Sequence, residues 1–82
     1  SEGTINQAIV YPREIVKECL EINAAYVIIS HNHPSGDPTP SKEDLLVTLE
    51  IQKSLSTIDI VLFDSLIITK ESYYSFKENG YL

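Results

Sequence analysis

Eighty-two residues allow one small domain, and a chain this short buries only a modest share of its surface. Six basic residues against twelve acidic give a net charge of −6, and Arg13, Lys17, Lys42, Lys53, Lys70 and Lys77 stand singly, so the sequence does not support a grip on nucleic acid. No apolar run reaches membrane-spanning length, no leader opens the chain and the single cysteine, Cys19, has no partner for a disulfide, which together predict a soluble, cytoplasmic protein.

The opening Ser1-Glu2-Gly3-Thr4 reads like the middle of a strand connection and carries no initiator Met. Residues 1–82 are therefore expected to be a single domain, cut at its N-terminus from a longer protein. Thr4 to Tyr11 reads as a short strand. Pro12 then stands where the first turn of a helix tolerates proline. From Ile15 onward, Ile15, Val16, Cys19, Leu20 and Ile22 fall on one side at helical spacing, and Arg13, Glu14, Lys17, Glu18 and Glu21 fall on the other. That pattern predicts a helix with one buried face, where Cys19 serves packing.

Ala25 to Ile29 is a continuous apolar run of strand length, as expected of a central strand covered on both faces. It leads into Ser30-His31-Asn32-His33, and a turn-rich loop over 34–40 follows with three of the four prolines. Ser41 opens a second helix running to about Thr57. Leu45, Leu46 and Leu49 lie on one side of it and Val47, Ile51 and Leu55 nearer the other. A helix patterned so is buried from two directions or meets a partner, a second copy of the chain included. Ile58 to Ile68 gives strand material interrupted at Asp64-Ser65. Ser72 to Phe76 gives another short strand, and 77–82 a tail. The order β-α-β-α-β-β predicts an α/β fold, a mixed sheet with flanking helices.

The chemistry concentrates at the end of the apolar run. In an extended chain, side chains two apart project to one face, so His31 and His33 point together. Pro34 favours extended geometry at His33. The loop must return the chain to the same spot, and Pro38 and Pro40 stiffen it. Gly36 suits a positive φ, and Asp37 reads as a turn former. Asp44 falls in the first turn of the next helix, three residues after its expected N-cap, Ser41. Alone, Asp44 would be read as a helix-capping carboxylate, worth roughly 0.3–1 kcal/mol with the dipole. Taken with the only two histidines of the chain, it completes a set of two imidazoles and one carboxylate. Such a set leaves a tetrahedral Zn²⁺ one open position, the pattern of a catalytic site. An ion so held lowers the pKa of a bound water to about 7 and polarises a carbonyl.

The string from His31 to Asp44, read as H-x-H, seven residues and S-x-x-D, resembles the signature of the RadC family, whose JAB/MPN domains carry the JAMM motif. The resemblance extends upstream through Gly3-Thr4-Ile5-Asn6 and Pro12 to Ile15, and downstream to Tyr74-Ser75-Phe76 and Gly80. It implies an MPN (JAB) fold similar to that of cytidine deaminases, and zinc at His31, His33 and Asp44. It also implies that the Ser41 hydroxyl helps to stabilise a tetrahedral oxyanion. The function implied is a zinc-dependent hydrolase of the peptidase or isopeptidase type, acting on a peptide or protein substrate. The second reading is a non-catalytic DNA-repair accessory or interaction module that keeps zinc for structure. JAMM enzymes take their general acid/base from an upstream glutamate, expected before this chain begins; Glu2 reads instead as a solvated strand residue. Where the family commonly has Asp-His, this chain has Asp64-Ser65, which reads as a neutral variation.

Overall fold

The computed structural model describes residues 11–82. The strand expected from Thr4 falls, apart from Tyr11, outside the described residues, and Glu2 does too. The first helix, α1 (Pro12–Glu21), starts on its proline, whose missing N–H costs nothing in a first turn. Ile15 and Cys19 are buried, while Leu20 and Ile22 are more than half exposed. Among the described residues the buried stripe of α1 is thus narrower than its sequence pattern, and its main neighbour is the second helix. Asn23 ends it in the left-handed region at φ 55°, where a short polar side chain is tolerated. The N–H of Ala24 reaches the Cys19 carbonyl (3.0 Å) and that of Asn23 the Leu20 carbonyl (3.3 Å), a Schellman motif.

The chain then enters β1 (Tyr26–Asn32), crosses over through α2 (Lys42–Ser56) and returns as β2 (Val61–Ile68) beside β1 and parallel to it. The short β3 (Tyr73–Ser75) pairs antiparallel with β2, giving a mixed sheet in the order β1-β2-β3. The α/β class and the mixed sheet agree with expectation. At its end α2 repeats the device of α1. Asp59 takes φ 61°, and Ile60 N–H and Asp59 N–H bond the carbonyls of Leu55 and Ser56. Ile60 and Leu55 are both buried, which is the apolar contact that accompanies this cap.

Two expectations need correction. β2 is not interrupted at Asp64-Ser65: it runs through both residues. The register slips by one between Val27 and Ile28, so Phe63 is the extra residue of a bulge. The Asp64 carboxylate accepts from the N–H of Ser65 (2.7 Å) and of Lys77 (3.0 Å) and from the Ser75 hydroxyl (2.6 Å). The polar pair that reads as a break is the clamp that holds β3 and the tail. Secondly, β1 is not covered on both faces among the described residues. Val27 and Ile29 pack inward, but Tyr26 is 70% and Ile28 59% exposed.

The core lies between the sheet's inward face and the helices. Ile15, Cys19, Ile51, Leu55, Ile60 and Leu62 form one buried cluster, with Val16, Ala24, Val27, Ile29, Val47 and Leu82 packed around it. Of the two apolar sides of α2, the one carrying Val47, Ile51 and Leu55 is packed. On the other, Leu46 and Leu49 are exposed. Toward the chain's end Phe76 is wholly buried, edge-on to the rings of Tyr74 (5.2 Å) and Tyr81 (6.3 Å).

Candidate metal centre

The alternation that buries Val27 and Ile29 carries straight on to His31 and His33. His31 pairs with Ile67 of β2, itself fully buried. His33 stands one residue past β1, yet its N–H still bonds the carbonyl of Ile68 (3.1 Å), so its backbone stays in the ladder. Both imidazoles therefore turn to the α2 side of the sheet, as the H-x-H spacing predicts.

Asp44 meets them from α2. Ser41 is the N-cap of that helix: its hydroxyl accepts from the Asp44 N–H (3.0 Å), and Asp44 Oδ2 accepts from the Ser41 N–H (2.8 Å). This reciprocal capping box fixes the carboxylate in one rotamer. From that position Asp44 Oδ2 lies 3.1 Å from His33 Nε2, and Oδ1 lies 3.4 Å from His31 Nε2. The two Nε2 atoms are 3.3 Å apart. Asp44 thus caps the helix and stands beside both imidazoles at once, and the first serves the second. His31, His33 and Asp44 each offer one ligand atom, and these atoms all lie within 4.8 Å of one another.

The protonation of the group suits a cation. Burial lowers the pKa of His31; Asp44 opposes that and His33 adds to it, and the ring is left neutral at neutral pH. Burial pushes the Asp44 carboxyl up, but the hydrogen bonds from Ser41, helped by the two imidazoles, outweigh it, and the net shift is downward. His33 Nδ1 donates to the backbone carbonyl of Asp37 (3.0 Å), which in a neutral ring leaves Nε2 with a lone pair and no proton. Lone pairs and a carboxylate then face one another across about 3 Å. Such an arrangement asks for a proton or a metal ion at its centre.

The other residues singled out by the sequence lie in or around this cluster and in the core. Ser41 is exposed, next to the cluster, with its oxygen engaged in the cap. Asp37 is a turn former, Oδ1 accepting from the Thr39 N–H (3.0 Å), and these hydrogen bonds lower its pKa. Cys19 is buried, and burial, with Glu18, raises its thiol pKa, which suits packing. Ser65 is buried facing α2, where its hydroxyl lies 3.5 Å from that of Thr48. The sequence reading missed the Asp37 carbonyl as a partner of His33, since no residue type announces a backbone acceptor. Among the described residues, no helix is long and apolar enough to cross a membrane.

Comparison with known proteins places the chain in a family. A UPF0758 protein of Clostridium botulinum strain Eklund 17B is 51% identical over 81 residues, which is 99% of this chain and 35% of the relative. A UPF0758 protein of the Loch Maree strain is 54% identical over 78 residues, 95% of this chain and 34% of the relative. The chain spans about a third of the length of these relatives. The profile of the RadC-like JAB domain matches residues 1–81, a span that contains His31, His33 and Asp44, and the chain belongs to that family.

Proposed function

We propose that this chain is a zinc-dependent metallohydrolase domain of RadC type, peptidase- or isopeptidase-like, with His31, His33 and Asp44 as the metal ligands. The observation that carries the reading is the convergence of two Nε2 atoms and a carboxylate on one small volume, with His31 neutral and Asp44 ionised. JAB domains often bind zinc, and the donor set fits it: two nitrogens and one oxygen, leaving a position open. When bound, zinc would supply an acidified water and Lewis-acid polarisation of a carbonyl.

The chain's own residues supply the rest. β1 and the capping box hold the three donors in place before any ion arrives, so little ordering is needed on binding. Ser41 keeps its oxygen on the Asp44 N–H and its hydroxyl hydrogen free to turn toward an oxyanion at the site's exposed rim. Asp44 is the cluster's one carboxylate among the described residues and is committed to the cap. Transfer of a proton to the leaving amine is therefore assigned to a group beyond the three, and the resemblance to JAMM enzymes points to a glutamate outside the described residues. A second reading, a non-catalytic interaction or DNA-repair accessory module, draws on the capping box: an ion there would pin the start of α2 to the end of β1, a structural use.

Elemental analysis tests the shared premise. Metal-loaded protein should hold about one Zn²⁺ per chain, and His33→Ala should lose it. Equal, substoichiometric zinc in both proteins would sink the assignment. Hydrolysis of peptide and isopeptide substrates then separates the two readings.

A further inference from the structure

The loop over 34–40 does more than return the chain to the site. The Gly36 N–H bonds the His33 carbonyl (3.1 Å), and Gly36 takes φ +90°, a conformation that glycine adopts without strain. The Asp37 N–H bonds Ser35 Oγ (3.3 Å), and Asp37 Oδ1 accepts from the Thr39 N–H (3.0 Å), closing an Asx turn. The peptide unit before Asp37 and the Pro38–Thr39 unit beyond it are thereby held, and the Asp37 carbonyl between them stands 3.0 Å from His33 Nδ1. The Asp37 carboxylate is itself exposed, engaged by Thr39 and outside the three-residue cluster, so it is no fourth donor.

We propose that Asp37 is a positioning residue of the centre: its side-chain turn sets the carbonyl that keeps His33 in the tautomer offering an unprotonated Nε2. This rests on His31, His33 and Asp44 being metal ligands. A neutral imidazole carries its proton on either nitrogen, and a ring protonated at Nε2 cannot ligate through it. A carbonyl fixed at Nδ1 removes that choice and fixes the ring plane as well. The work is done by the backbone, but the side chain of Asp37 decides where that backbone stands. An asparagine makes the same turn through its amide oxygen; an alanine makes none.

The test compares wild type, Asp37→Ala and Asp37→Asn by two measurements. Nitrogen NMR of the His33 ring in metal-free protein, above the histidine titration range, reads the tautomer. Competition with a chromophoric chelator reads zinc affinity. Wild type should carry the proton at Nδ1. Asp37→Ala should show mixed tautomers and a zinc affinity lower by about ten- to a hundredfold, the usual effect of losing a ligand's outer partner. Asp37→Asn should restore both. A tautomer and affinity unchanged in Asp37→Ala would overturn the proposal, and so would equal losses in the two variants, which would mean that charge and not the turn matters. Wild type that bound no zinc would overturn the metal reading itself, and the NMR arm would still decide whether Asp37 sets His33.

Discussion

His31 and Asp44 share a few ångströms of space but answer acid in successive ranges. Burial depresses the His31 pKa in the fold, whereas the unfolded chain takes up its proton near the ordinary histidine value, about pH 6.5. Below that point the unfolded state binds more protons, so stability falls as pH falls. Asp44, held down on balance by Ser41, has the same sign lower on the scale: its contribution is present above the ordinary carboxylate pKa and is lost as pH drops through the depressed value. Metal-free protein should therefore lose stability in two stages on acidification, the first in the histidine range. Denaturant midpoints measured against pH check this, and His31→Asn should flatten the first stage alone. A wild-type midpoint flat from neutral down to about pH 5 would show that His31 is not depressed.

At the scale of elements, the start of α2 has a double duty. Four N–H groups of a helix's first turn lack partners within it, and Ser41 and Asp44 satisfy two donors reciprocally. Ser41→Ala should cost about 1 kcal/mol of metal-free stability by urea denaturation. It should also loosen the Asp44 rotamer, and an unchanged midpoint would mean that Asp44 holds itself without the cap. The features legible in sequence here are those written within one short segment: H-x-H off a strand and S-x-x-D at a helix start each follow from a local period. The strand break expected at Asp64-Ser65 failed because Asp64 finds its partners at Ser75 and Lys77, 11 and 13 residues on, where no local pattern points. The helix ends at Asn23 and Asp59 were illegible for a related reason. Both use the left-handed conformation without the glycine that usually marks it. Among the described residues the two-sided burial expected of β1 is missing at Tyr26 and Ile28, since an apolar run records what can be covered, not what is.

For the molecule as a whole, the packing has two centres. One is the cluster that joins both helices to the sheet; the other surrounds Phe76, whose carbonyl also takes the N–H of Tyr81 (2.9 Å). Truncating a fully buried Phe costs about 3–5 kcal/mol, and a domain of this size has little more than that to lose. Phe76→Ala should therefore leave much of the chain unfolded at room temperature by circular dichroism. A midpoint within about 1 kcal/mol of wild type would show the tail to be dispensable. Opposite the helices, Tyr26, Ile28, Val61 and Ile68 form an apolar sheet face exposed among the described residues, and Lys77 Nζ stands 4.4 Å over the ring of Phe63 at its margin.

The shared alternation of Val27, Ile29, His31 and His33 bears on how this sequence can change through descent. One residue inserted between Ile29 and His31 would turn both imidazoles to the open face and leave the core intact. Two would restore the facing but carry the rings past Asp44 by about 6–7 Å, at the usual rise per strand residue. Neither change can be repaired from α2, whose capping box fixes its own end of the cluster. Along β1, then, a change of length disturbs the site more than a change of an exposed side chain such as Tyr26 or Ile28.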